Sequence, residues 1–290
     1  MNMTVETKRK NSGVEEGHRE FSFSSRDFNV LRGLVKALTG IDLHEGKSDM
    51  VYGRLTRRLR ELNLSSFKEY ATLLNADIEG EEVRNFVNSM TTNLTAFFRE
   101  PHHFEHLKNR VLPHLMKVNA ASRRIRIWSA GCSSGEEPYS IAMCVAETVP
   151  PGWDVKILAT DMDSNMIDTG SKGVYKEERI AGIENSRLHR WFVNGAGSNQ
   201  GMVRVKPELR DMITFKCLNL MDEWPIKGPM DVLFCRNVII YFDAETKKTL
   251  IDRYFDLLAS HGTLFVGHSE TLFGVTERAD LVGQSIYEKL

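Results

Sequence analysis

The apolar residues change their period once along this chain, near residue 120, and that change limits the architectures open to it. Before it, Val51, Leu55, Leu59 and Leu62 recur at three- and four-residue steps, which lays an apolar stripe along a helix. Ser66 followed by Glu69 has the form of a capping box opening the next helix. Val83, Phe86, Val87 and Met90 repeat the helical spacing until TTNLTAFFREP breaks it. Pro101 stands where the first turn of a helix tolerates it, and that helix is expected to run to about Val118. After residue 123 short apolar runs take over: RIRIWSAG (124–131), DVKILATD (154–161), MITFKCLNL (212–220), DVLFCRN (231–237), GTLFVGH (262–268) and GQSIYEKL (283–290). Helical stretches lie among them, at 136–149 with Pro138 in the first turn and at about 244–259 with Asp243 placed to cap it.

Strands alternating with helices imply a mostly parallel sheet covered on both faces. The expected fold class is α/β. A small all-helical domain takes 21–90, a linker and connecting helix 91–122, and a doubly wound, mostly parallel sheet 123–290. WFVNGAGSNQGMVRVKPELR (191–210) does not suit a parallel sheet, since it holds three glycines within seven residues between short β-like runs. It reads as an inserted antiparallel β-subdomain. Residues 1–20 are polar, carry both signs and have little to bury, which reads as a disordered tail.

That tail lacks the apolar stretch of a secretory signal, and no apolar run approaches the ~18 residues of a membrane span. The expected location is the cytoplasm, with no insertion into a membrane. A formal net charge of −1 gives no general electrostatic ground for nucleic acid as a partner. The four cysteines form no CxxC pair and fit buried thiols in a reducing compartment. His102 and His106 lie one helical turn apart beside His103, but a zinc pair needs a third ligand and none stands at convincing spacing. No metal is expected.

In a doubly wound sheet, ligands bind beyond the carboxyl ends of the strands, near the topological switch point. The loop SAGCSSGEEP (129–138) lies at such an end, where Gly131 and Gly135 permit close backbone approach. By itself the loop is equally a tight packing turn. Glu136 and Glu137 would repel a phosphate and suit a cation, such as the sulfonium and ammonium of S-adenosylmethionine. They also suit the positive end of a helix dipole with no ligand present. Asp161 closes the second strand, the usual place for a carboxylate that bonds ribose hydroxyls.

TTNLTAFFRE (91–100), SAGCSSGEEPYSIA (129–142), ATDMD (159–163), LNL (218–220), CRNVIIYF (235–242) and GHSE (267–270) occur in this order. Together they closely resemble the chemoreceptor glutamate methyltransferase family, CheR, over nearly the whole chain from about Phe23. The resemblance implies a Rossmann-like, class I S-adenosylmethionine-dependent methyltransferase. Its substrates would be glutamate side chains of methyl-accepting chemotaxis receptors, and its products glutamyl methyl esters and S-adenosylhomocysteine. Residue by residue, the resemblance implies that Asn93, Thr95 and Arg99 close over the cofactor, with Arg99 near the transferred methyl. Glu136 and Asp161 would hold its amino-acid end and its ribose or adenosine part, and Asn219 and Leu220 its adenine side. Arg236, Asn237 and Tyr241 would line the transfer site, with Arg99 and Tyr241 as the catalytic pair.

Two further features bear on partners. Arg54, Arg57, Arg58 and Arg60 form a basic run without an acid, on the helix whose other face is the Val51 stripe. A solvated face accounts for it, and so does docking on the acidic helical bundle of a receptor. Gly195, Gly197, Gly201 and Arg204 form a GxGxxxGxxR spacing in the inserted segment. In some members of the family a similar β-subdomain captures a peptide at the receptor's C terminus. Glycines would keep a hairpin edge open for it, and Arg204 would pair with its acidic or carboxylate end. Asn194 stands where such members tend to carry an arginine, and the alternative is a hairpin that only covers the sheet edge. Two rival functions are an N-methyltransferase, whose [ND]PP[YF] motif is replaced here by NVII at 237–240, and a non-catalytic cofactor sensor, against which the intact polar positions speak.

Overall fold

A computed structural model describes residues 19–290. The tail expected over 1–20 lies outside the described residues up to residue 18. Arg19 and Glu20 are described and pair with Asp49 and Arg60. Four helices follow: α1 (Ser25–Thr39), α2 (Ser48–Glu61), α3 (Phe67–Ala76) and α4 (Glu81–Met90). Ser24 and Asp27 cap α1 reciprocally, satisfying N–H groups that no helical carbonyl can reach. At α3 Ser66 accepts from the Glu69 N–H at 3.2 Å, while Glu69 reaches back to Ser65 rather than to Ser66. Leu31, Val51, Leu55, Leu59, Tyr70 and Phe86 meet in one core, each fully buried apolar side chain contributing about 1.5–3 kcal/mol.

An irregular segment leads to α5 (Pro101–His106) and α6 (Leu112–Val118), joined through a wide π turn at Leu107–Val111. The turn lies just before Pro113, which has no N–H to return to it. Next come β1 (Arg124–Ala130), α7 (Glu136–Thr148), β2 (Asp154–Asp161), α8 (Ser164–Lys172) and β3 (Val174–Lys176). They are followed by α9 (Asn185–Trp191), β4 (Phe192–Asn194), β5 (Met202–Val205), α10 (Pro207–Arg210) and β6 (Ile213–Cys217). The chain closes with β7 (Met230–Cys235), α11 (Ala244–Leu257), β8 (Leu258–Val266), β9 (Ala279–Gly283) and β10 (Ile286–Lys289).

Seven strands form one sheet in the order β6-β2-β1-β7-β8-β10-β9, with β10 antiparallel to both neighbours. Alternation along β1 sends Ile125 and Ile127 into the core under α7, and Trp128 and Ala130 into the core under α11. Both faces are therefore covered, as the alternating strands and helices require. β2 lies on one side of β1 and β7 on the other, so the loops after β1 and β7 part at the switch point.

The insert is a separate antiparallel sheet, β3-β5-β4. It starts at Val174 rather than 191, because β3 pairs with β5 across the intervening helix. The glycines do not hold an edge open. They shape the turn between β4 and β5, where a Cβ on Gly195 would lie 2.1 Å from the Asn199 carbonyl oxygen. β5 is the middle strand, so the free edges belong to β3 and β4. Among the described residues no helix is long and apolar enough to cross a membrane.

Candidate active site

The loop after β1 turns sharply, and Gly131 makes the turn possible. Its φ is +80°, and a Cβ there would sit 2.4 Å from Val238 in the loop after β7. The Ser133 N–H donates to Asp161 at 2.7 Å, and the Asp163 N–H donates to the other Asp161 oxygen at 2.9 Å. Burial pushes the Asp161 carboxyl up to about 6 against these two donors. Each of its oxygens retains a free lone pair.

Glu137, in the first turn of α7, accepts from the Ser129 hydroxyl at 2.7 Å and from Arg236 at 3.0 Å. Burial raises its carboxyl too, with Arg236 and Ser129 opposing. Arg236 also faces Glu100 at 3.2 Å and donates to the Arg99 carbonyl. Burial works against the Glu100 charge, but Arg236 and the His268 N–H hold its carboxyl below the usual value. The buried Nε of Arg236 has no partner among the described residues.

Of these, Ser133, Glu137, Asp161, Arg99 and Arg236 line a cleft of about 330 Å³ between the two units. Thr39, Ile41, Leu43 and Met50 form the wall from the helical unit, and Leu218, Leu220, Val238 and Tyr241 stand among those opposite. The units are joined beside it. Asp42 N–H donates to the Tyr241 carbonyl at 2.8 Å, Asn219 to the Leu38 carbonyl at 2.7 Å, and Lys36 pairs with Asp243 at 2.7 Å. Segment 91–100 crosses the mouth, tied down where Thr91 and Asn93 donate to Asp163 at 2.9 and 2.7 Å. Buried acids at one side of the cleft and apolar side chains such as Ile41, Leu43, Leu218 and Leu220 fit a ligand that is part cation and part flat ring system. An orphaned guanidinium N–H beside them would serve a carboxylate on the same molecule.

Residues 26–91 match the all-alpha domain of CheR methyltransferases, and residues 93–287 match the CheR methyltransferase SAM binding domain. The chain belongs to the CheR family. It is 44% identical to chemotaxis protein methyltransferase 2 of Pseudomonas aeruginosa, covering 93% of this chain and 95% of that one. It is 41% identical to the chemotaxis protein methyltransferase of Escherichia coli, covering 92% and 91%. The Salmonella typhimurium enzyme of the same name is 38% identical, covering 93% and 92%. The chain is thus an S-adenosylmethionine-dependent methyltransferase of the chemotaxis class, built on the expected α/β architecture.

Within this CheR chain, Asn93, Thr95, Arg99, Asp161, Asn219, Leu220, Arg236, Asn237 and Tyr241 all line the cleft. Glu136 does not. Its carboxylate is buried on the other side of the helix start, accepting from Arg179 and, at 2.6 Å, from Ser134. Glu137 faces the cleft in its place, because successive helical residues point ~100° apart.

The basic run is also not the free face its sequence suggests. Arg54 donates to the Met90 and Thr91 carbonyls, Arg58 pairs with Glu61 and Glu82, Arg57 with Glu61, and Arg60 with Glu20. Arg57 and Arg60 stay exposed while Arg54 and Arg58 turn inward. The tether residues Gly195, Gly197, Gly201 and Arg204 lie outside the cleft, with Arg204 exposed on β5. His103 is buried, its Nε2–H donating to the Gln284 carbonyl at 3.1 Å, and burial pushes its imidazole down to about 4. No group of three metal-ligating side chains occurs among the described residues.

Sequence reasoning missed Glu270. It accepts from the N–H groups of Asn237 at 2.8 Å and Ile240 at 3.1 Å, and from Gly267, fixing the loop after β7. The signal was in the GHSE motif, whose acid received no role.

Proposed function

We propose that this enzyme transfers the methyl group of S-adenosylmethionine to glutamate carboxylates on cytoplasmic helical bundles of methyl-accepting chemotaxis receptors. The products are glutamyl methyl esters and S-adenosylhomocysteine, and the site of action is the cytoplasm. The observation that carries the reading is a cleft holding two buried acids, Glu137 and Asp161, beside the arginines Arg99 and Arg236. Acids suit a cationic cofactor that carries ribose hydroxyls, and Arg99 suits an anionic substrate.

When bound, the cofactor supplies a sulfonium methyl that a carboxylate oxygen can attack, the C–S electron pair leaving with sulfur. A glutamate side chain is ionised at neutral pH, with an ordinary pKa near 4.3, and needs no general base. The protein's share is alignment, which can supply ~7–11 kcal/mol, and exclusion of water while opposite charges are consumed. Asn93, Thr95, Arg236 and Asn237 hold the cofactor from one side, Asn219 and Leu220 from the other. Glu137 takes the role that sequence assigned to Glu136, and Asp161 keeps its own. Arg99 and the Tyr241 hydroxyl orient the incoming carboxylate. Arg99 must hold it loosely, since a tight ion pair would favour the ground state over the transition state.

Docking is assigned to the exposed pair Arg57 and Arg60, with Arg54 and Arg58 supporting the helix from within. Capture of a receptor's C-terminal peptide is assigned to the β4 edge of the small sheet, with Arg204 reading its negative end. Transfer of labelled methyl groups to receptor membranes, followed by release of methanol in base, tests the activity. Label that resists base would mark N-methylation and overturn the ester assignment.

A further inference from the structure

Segment 91–100 has no regular structure, so its carbonyls need donors from outside any helix or strand. Guanidinium groups supply several of them. Arg54 holds the Met90 and Thr91 carbonyls, Arg99 the Leu94 carbonyl, and Arg236 the Arg99 carbonyl. A further clamp comes from Arg179, in the 3₁₀ turn Glu177–Ile180 that follows β3. Its Nη2 donates to the Thr95 carbonyl at 3.2 Å, and its Nε donates to Glu136 at 3.1 Å. Glu136 has no solvent exposure, whereas the Arg179 side chain is 39% exposed.

One side chain therefore joins the small sheet, the start of α7 and the segment that carries Arg99. Aromatic contacts run along the same seam. The Phe97 ring packs edge-on against Tyr175 of β3 at 5.1 Å and Phe192 of β4 at 5.7 Å. Arg187 of α9 lies 4.4 Å over the Phe98 ring. Phe98 and Glu100 hold φ values of 52° and 59°, which non-glycine residues keep only where their surroundings impose them.

We propose that Arg179 is a positioning residue for methyl transfer, fixing the Thr95 carbonyl against Glu136 so that Asn93 and Arg99 are presented to the cleft. It lies outside the cleft wall and acts through the segment. The competing account is an ion pair that only stabilises the fold. The two part company when the charge of Glu136 is removed. Glu136→Gln relieves the stranded carboxylate left by Arg179→Ala, yet leaves the Thr95 carbonyl without its donor.

The proposal rests on the methyl-transfer reading above, and its test has arms independent of that reading. Full-length wild type, Arg179→Ala, Arg179→Lys and Glu136→Gln/Arg179→Ala are compared by thermal unfolding, by amide hydrogen exchange over 93–100, and by turnover on receptor membranes. Arg179→Ala should speed exchange in that segment and lower kcat about tenfold, a modest share of what a misplaced reacting group can cost. Arg179→Lys, able to reach the same oxygens with one ammonium, should fall between. The double variant should melt like wild type while keeping the fast exchange and the low kcat. Recovery of wild-type exchange and turnover in the double variant would overturn the proposal, as would unchanged exchange in Arg179→Ala. Wild-type protein that methylates no receptor would sink the methyl-transfer reading, leaving the exchange arm to decide this one.

Discussion

The helical unit and the small antiparallel sheet each send a guanidinium into the segment across the cleft, and the two sit in different company. Arg54 donates only to neutral oxygens, the Met90 and Thr91 carbonyls at 2.8 Å each and the Thr92 hydroxyl at 3.0 Å. Arg179 divides its donors between a neutral carbonyl and a carboxylate sealed from water. Truncating Arg54 leaves neutral acceptors unpaired. Truncating Arg179 strands a charge. The same residue type, aimed at the same backbone, thus differs in cost according to what else its fork holds.

The extreme of this contrast is Arg236, 2% exposed between Glu100 and Glu137. Arg236→Ala leaves both acids without a cation, and denaturant unfolding should show a loss of ~3–5 kcal/mol. A loss under ~1 kcal/mol would erase the distinction between charged and neutral partners. Arg179→Ala should cost about 2 kcal/mol, less because water can approach its exposed side, and Glu136→Gln should return most of it.

Asp161 sharpens the comparison from the other direction, as a buried acid held by N–H groups rather than by an arginine. Its folded value near 6 lies above the ordinary 3.8, so the penalty for ionising it grows as pH rises through that interval. Ribose hydroxyls donating to it favour the ionised form. Cofactor affinity should therefore weaken as pH falls below 6, by roughly tenfold at pH 5, or ~1.4 kcal/mol, with proton release on binding near pH 6. Calorimetric titration across pH 5–7 measures both, and a flat profile would separate Asp161 from the cofactor.

Arg54→Ala should cost only ~1 kcal/mol of stability and yet depress turnover more than its fold loss explains. Equal small effects on both would make it a plain structural contact. The smallest change in stability belongs to Arg57→Glu with Arg60→Glu, within about 0.5 kcal/mol for exposed pairs. Receptor methylation should nevertheless slow, and wild-type rates should fall as salt screens charges over ~10 Å at 0.1 M. Salt-independent transfer would return those arginines to a solvated face.

The parallel strands were legible because a buried strand is a short apolar run whatever its neighbours are. Their ends were less so. MITFKCLNL is strand only over Ile213–Cys217; the Leu218 N–H gives the last ladder bond, to the Asp161 carbonyl, and the chain then turns at Asn219. β3 carried no sign of its own, being three residues whose partner strand lies beyond an intervening helix. In the site, Asp161 could be placed because strand ends meet ligands in this architecture. Nothing in two adjacent glutamates says which one the helix turns toward the cleft. Nor do the arginines of α2 announce Glu20 and Glu82, whose pairing with them is a product of tertiary packing.

The cleft has one wall from each unit, so neither unit alone contains it. A small molecule held across that seam favours the docked arrangement by mass action, ~2.7 kcal/mol at a hundred times its dissociation constant. The methyl donor is then a mortar as well as a reagent. In a cell short of it, this linkage predicts a seam that opens more often and a segment 91–100 more readily cut, which limited proteolysis with and without the cofactor would measure. The lifetime of the enzyme would follow the supply of methyl groups it is there to spend.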